Sequence, residues 1–115
     1  MSGECMEVWM QGYLRAVQEA FGERVRFVGL QGSRARGEAR PGSDIDVVLL
    51  LDELSWQDVL TYRRAIEELP LRELVCGFVS GVEELAAWDA GELVFFYHDT
   101  VPVFGSLEFV RSLFG

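Results

Sequence analysis

Asp44 and Asp46 stand two residues apart at the head of the apolar run "VVLLL", with a Gly32-Ser33 pair and three arginines, Arg34, Arg36 and Arg40, just upstream. In an extended strand, residues two apart project from one face at a rise of about 3.3 Å each, which sets the two carboxylates about 7 Å apart on one side. Two like charges at the edge of a core repel, and a pair of divalent metals is the usual compensation. Magnesium, or manganese in its place, suits an oxygen-donor pair of this kind better than zinc does. Gly32 lets a ligand come close to the backbone, and Ser33, read as the N-cap of a short helix, adds a hydroxyl beside unpaired N–H groups. Such a turn is suited to an anion, and a phosphate fits it. On neighbouring strands, the two motifs would hold a triphosphate between Ser33 and the metal pair, with Arg34 or Arg36 neutralising further charge.

These residues need a frame. From Glu4 to Phe21, Val8, Trp9, Leu14, Val17, Ala20 and Phe21 recur at three- and four-residue steps, the stripe of an amphipathic helix that Gly22 ends. Val25 to Leu30 reads as a strand leading into Gly32-Ser33, and the short helix through "RARGEA" breaks at Pro41-Gly42. "DIDVVLLL" is apolar at consecutive positions beyond Asp46, which predicts a strand buried on both faces with helices over it. Ser55 and Asp58 open a helix through Trp56, Val59, Leu60, Ala65, Ile66 and Leu69, stopped by Pro70. "LRELVCGFVS" is a third strand, followed by a helix from Ser80 to about Ala90 with Glu83 and Glu84 in its first turn. "LVFFYHD" is compatible with strand or helix, "TVPVFG" with a short edge strand because of Pro102, and "SLEFVRSLF" with a terminal helix capped by Ser106. The expected fold class is α/β (α+β): a small mixed β-sheet flanked by helices, in one domain over residues 1–115.

Composition narrows the chemistry. The chain has 115 residues, half of them hydrophobic, enough for a packed core without disulfides. Its net charge of −9 opposes binding to a duplex nucleic acid, which depends on neutralising phosphates with cations. All 10 basic residues are arginine, so a Walker A lysine and a Schiff-base lysine are both excluded. Cys5 and Cys76 are far apart and lack a second soft ligand nearby, which leaves a thiolate zinc site unsupported and a cytoplasmic location as the default. His98 is the only histidine and no serine sits in a nucleophile elbow, so Ser-His catalysis has no support. Trp9, Trp56, Trp88, Phe95, Phe96 and Tyr97 are expected in the core. "VVLLL" and "LVFFY" fall far short of the roughly 20 apolar residues of a membrane span. The start, with Glu4 and Glu7, lacks the pattern of a secretory leader.

Gly-Ser, a basic "RARG" and then "SDIDVVLLL" resemble the signature of the minimal nucleotidyltransferases of the DNA polymerase beta-like superfamily. The resemblance is specific over residues 28–52 and extends loosely to the third strand. It implies the nucleotidyltransferase fold and a Mg-dependent transfer of a nucleoside monophosphate, AMP from ATP, to a hydroxyl of a protein or small molecule. Asp44 and Asp46 would be the catalytic metal ligands, and Gly32, Ser33 and Arg36 would bind the nucleotide. In the family a third carboxylate on a later strand helps to activate the attacking oxygen. By alignment with "CGFVSGVEEL" that position falls on Gly77, with Glu73 on the same face about 13 Å upstream. Small members pair with a helical HEPN-type partner as toxin and antitoxin, so a degenerate, antitoxin-like subunit is the alternative reading. Self-association into a homo-oligomer stays open.

Overall fold

The apolar spacing near the start becomes helix α1 (Gly3–Phe21) in the computed structural model of the chain, which describes residues 3–40, 42–88 and 90–112. A single 3-10 turn leads into β1 (Val25–Gln31), which passes directly into the one-turn helix α2 (Gly32–Ala35). Then come β2 (Ile45–Leu51), α3 (Trp56–Ile66), β3 (Val75–Gly81), α4 (Val82–Ala86), α5 (Ala90–Asp99), β4 (Val101–Phe104) and α6 (Leu107–Ser112). The four strands form one mixed sheet in the order β3-β2-β1-β4. β1 runs antiparallel to both β2 and β4, and β2 runs parallel to β3.

β2 is buried on both faces, as its unbroken apolar run requires. Val47, Leu49 and Leu51 pack in one cluster with Tyr13 and Val17 of α1 and Tyr62 and Ile66 of α3. Val48 and Leu50 join Phe27, Leu85, Leu93 and Phe96 in a second cluster on the opposite face. Each such side chain, fully removed from water, contributes about 1.5–3 kcal/mol, so this strand anchors the aspartates at its head.

The start of α3 is fixed twice. Ser55 and Asp58 form a reciprocal capping box, and Arg24, from the turn before β1, clasps the same place. Its guanidinium donates to Asp52 Oδ1 at 2.9 Å, to Asp58 Oδ1 and Oδ2 at 2.9 and 2.8 Å, and to the Glu53 carbonyl at 3.1 Å. α3 stops at Ile66 rather than Leu69, and Leu71 takes a left-handed conformation (φ 59°) in the loop that turns the chain into β3. The expected strand from Leu71 is likewise shortened, because Arg72–Leu74 is a 3-10 turn.

"LVFFYHD" resolves as the helix α5, and Thr100 follows it: its hydroxyl donates to the Phe96 carbonyl at 2.6 Å while accepting from Gln31 Nε2 at 2.7 Å. The expected long helix from Ser80 is instead the short α4, and β4, with Pro102, is an edge strand as expected. Trp56, expected in the core, is 75% exposed, and Val8, expected on the apolar stripe of α1, is 72% exposed. Trp56 opens α3 on the side opposite the buried Asp58, Tyr62 and Ile66, so the helix turns it outward. Pro41 and the side chains of Cys5 and Phe95 lie outside the described residues. No helix among the described residues is long and apolar enough to cross a membrane.

Candidate functional site

The two sequence motifs meet at one end of the central strand pair. Gln31, the last residue of β1, pairs with Asp46 of β2, so the chain leaves β1 level with the second aspartate. Gly32 has a φ of +75°, a conformation that side chains disfavour, and a β-carbon there would run into the Asp46 carboxylate. The backbone conformation therefore favours glycine, and any larger residue would also displace the acid beside it. Gln31, rather than Ser33, occupies the N-cap position of α2, and its side chain makes no capping bond. Gly32 and Ser33 are accordingly the first two helical residues, whose N–H groups have no acceptor within a helix.

Asp46 is half-buried within β2, and Asp44 is exposed one residue before the strand begins. Both act on one neighbour. Cys76 pairs with Asp46 across the parallel β2–β3 ladder, which sets its thiol beside the Asp46 carboxylate. Burial raises its pKa first, then the negative charges of Asp46 and of Asp44. The two aspartates and the thiol thus share one mouth at the end of the sheet.

The third-strand alignment needs correction. Gly77 pairs with Val47, and a β-carbon on it would lie 2.7 Å from the Tyr62 hydroxyl and 3.5 Å from Val47 Cγ2. It faces the α3 side of the sheet, opposite to Asp46, because successive strand residues point to opposite faces. The β3 residue level with Asp46 is Cys76. Glu73 lies in the 3-10 turn before β3, so strand alternation does not carry it onto the aspartate face.

The arginines divide. Arg34 donates through Nε and Nη2 to the Ser43 carbonyl at 3.2 and 2.7 Å, bracing the loop that delivers Asp44. Arg36, half exposed, pairs with Asp99 at the end of α5 at 3.2 Å and with Glu38 at 3.5 Å. The backbone N–H of Arg40 donates to Ser43 Oγ at 2.9 Å, which tightens the same loop. Sequence reasoning missed Cys76 and Asp99; the first was legible only once the register of β3 was known. A groove of about 690 Å³ runs nearby between α1, the α2 turn and β4, lined by Met6, Met10, Leu30, Arg34 and Val101 among others, but neither aspartate lines it.

Among the described residues no three histidine, cysteine, aspartate or glutamate side chains converge to hold a metal ion. Two carboxylates at an open mouth nevertheless suit magnesium, which binds through one or two carboxylates and takes its other oxygens from water and substrate phosphates.

Among curated proteins, no sequence matches the chain. Solved structures do. A crystal structure of a toxin-antitoxin with AMP-PNP is similar at 13% identity and a TM-score of 0.53, over 88% of this chain and 77% of that one. A mutant of the toxin-antitoxin MntA-HpeT, with two aspartates changed to glutamate, is similar at 11% identity and a TM-score of 0.56, over 87% and 77%. At these identities the likeness concerns the fold, which is that of a nucleotidyltransferase. The family model for the nucleotidyltransferase domain matches residues 10–86, well over half of the sequence and all of the mouth, and the chain belongs to that family.

Proposed function

We propose that the chain transfers a nucleoside monophosphate, AMP from ATP, to a hydroxyl of a protein or small molecule. The observation that supports this reading is the seat of Gly32 against the Asp46 carboxylate, so that the turn proposed to take phosphate lies beside an acid proposed to hold the cation. Asp44 and Asp46 would hold magnesium. When bound, the ion neutralises phosphate charge and makes the α-phosphorus a better electrophile. The Gly32-Ser33 turn would receive the phosphate oxygens on its N–H groups. Arg36 lies one turn further on and would exchange its carboxylate partners, the exposed Glu38 and the partly buried Asp99, for phosphate. The acceptor oxygen bonds to the α-phosphorus and loses its proton, while the bond to the departing pyrophosphate breaks. A HEPN-type helical protein is the partner favoured by the resemblance, and the likeness to a toxin-antitoxin solved with AMP-PNP supports a toxin-antitoxin pairing and a nucleotide ligand.

Cys76 favours a second reading. A thiol whose pKa is raised stays protonated at neutral pH and offers no base on the face of Asp46, as a subunit that binds nucleotide but transfers it slowly would have. A missing general base costs about 10²–10⁴ in rate. Asp44→Asn and Asp46→Asn should each abolish Mg-ATP binding by calorimetry without lowering the melting temperature. Unchanged affinity in both variants would refute the metal assignment. Labelled-ATP transfer with and without a co-purified partner then separates enzyme from antitoxin-like subunit.

A further inference from the structure

The outward side of α3 has no use in the fold or at the mouth. Trp56, Leu60, Arg63, Arg64 and Glu67 follow one another at steps of four, three, one and three residues, which places them on a single stripe. All five are exposed, Trp56 at 75% and Leu60 at 37%, while Asp58, Tyr62 and Ile66 bury the opposite side of the helix. At its far end the stripe opens into a cleft of about 370 Å³ lined by Leu60, Arg63, Arg64, Glu67 and Arg72.

The charge of this cleft runs against the rest of the molecule. The chain has 19 acids to 10 arginines, yet three of those arginines meet here. None of the three forms an ion pair with a carboxylate among the described residues. The helix dipole favours Arg63 and Arg64 in the last turn of α3. It does not explain Arg72, which comes from the next element, nor an exposed tryptophan at the other end.

We propose that this stripe, with Arg72, is a docking surface for a protein partner that presents an acidic patch around an apolar centre. Exposed tryptophan and arginine are the side chains that dominate protein interfaces, and unpaired guanidinium groups select carboxylates. An isolated phosphate would leave Trp56 and Leu60 without a role. An extended nucleic acid would meet the acidic remainder of a chain with a net charge of −9. Position adds a consequence. β3 starts level with the start of β2, so the arginine end of α3 and the Arg72 turn lie at the same end of the sheet as Asp44. A partner seated there stands beside the mouth, and the surface holds whether or not the mouth transfers nucleotide.

The test uses the full chain and a designed helical peptide with leucines on one face flanked by glutamates. A second peptide carries lysine at each glutamate position. The glutamate peptide should bind saturably and shift tryptophan emission to the blue, and Trp56→Phe should remove the shift. The combined Arg63→Glu, Arg64→Glu and Arg72→Glu variant should lose at least tenfold in affinity and gain affinity for the lysine peptide. The milder variant with glutamine at all three positions covers the event that the reversed one misfolds, and should lose affinity for the glutamate peptide without gaining any for the lysine peptide. Equal binding of both peptides by the parent chain, or unchanged affinity in the variants, overturns the proposal. So does tighter binding of tripolyphosphate or single-stranded RNA to the same arginines, or self-association of the chain that these variants abolish in sedimentation.

Discussion

Cys76 and Gly77 are neighbours in sequence and opposites in the sheet. Cys76 is level with Asp46 on an exposed edge strand, whereas Gly77 faces the Tyr62 hydroxyl under α3. An acid introduced at each should therefore act differently. Cys76→Asp places a third carboxylate beside Asp46, so it should lower the melting temperature in EDTA by repulsion and recover it with magnesium. On the proposed reading it should also raise AMP transfer by about 10²-fold or more. Gly77→Asp should destabilise the fold by about 1–3 kcal/mol with no magnesium dependence, because the new carboxylate meets a buried tyrosine. Thermal melts with and without magnesium decide between them, and identical behaviour of the two variants would undo the register argument. At this scale the sequence was partly legible. The spacing of Gly32, Asp44 and Asp46 announces a shared mouth because it depends on local strand geometry. Which of two adjacent β3 residues faces that mouth depends on where the 3-10 turn at Arg72–Leu74 hands over to the strand, and a one-residue slip reverses the face.

Arg24 shows how an element boundary is secured from outside the element. The Ser55–Asp58 capping box was readable from residue types alone, but the guanidinium that clasps Asp52 and Asp58 arrives from a turn far earlier in the chain. No local pattern discloses it. Arg24 holds the Asp58 carboxyl well below the usual carboxylate range; that of Asp52 is lowered first by the Glu53 N–H and then by Arg24. Both groups bind protons less readily in the folded chain than in the unfolded one. Their stabilisation is therefore complete above about pH 5 and is lost as the pH falls below about 4 and on through the depressed folded values. Urea midpoints across that range should fall with acid in the parent chain and fall less in Arg24→Met. The variant itself should lose about 1–2 kcal/mol at pH 7, a figure kept low because the clasp is partly open to solvent. Parallel pH profiles for parent and variant would show that the clasp contributes nothing. The same scale explains the misplaced Trp56. Its apolar character suggested a buried stripe, whereas the burial of α3 is centred on Asp58, Tyr62 and Ile66, a face set by Arg24 and by the sheet.

The family match ends at residue 86, but the fold depends on the residues beyond it. The second core cluster closes on Leu93 and Phe96 of α5, and β4 pairs with the outer edge of β1 through Val28–Phe104 and Leu30–Val101. Gln31, the residue that leads into the mouth, is tied to Thr100. Removing residues 89–115 would return Val48, Leu50 and Phe27 to water on one face of the central strands. Leu93 and Phe96 alone account for about 1.5–3 kcal/mol each, a large part of the roughly 5–15 kcal/mol by which domains of this size are stable. The chain cut after Trp88 is therefore expected to show no cooperative melt and to bind a hydrophobic dye. The full chain should unfold in a single calorimetric transition. A truncated chain that melts cooperatively within a few degrees of the parent would mean that α1, α3 and strands β1, β2 and β3 suffice. The mouth would then owe nothing to the Thr100 tie, and loss of Mg-ATP binding on Thr100→Ala would not be expected.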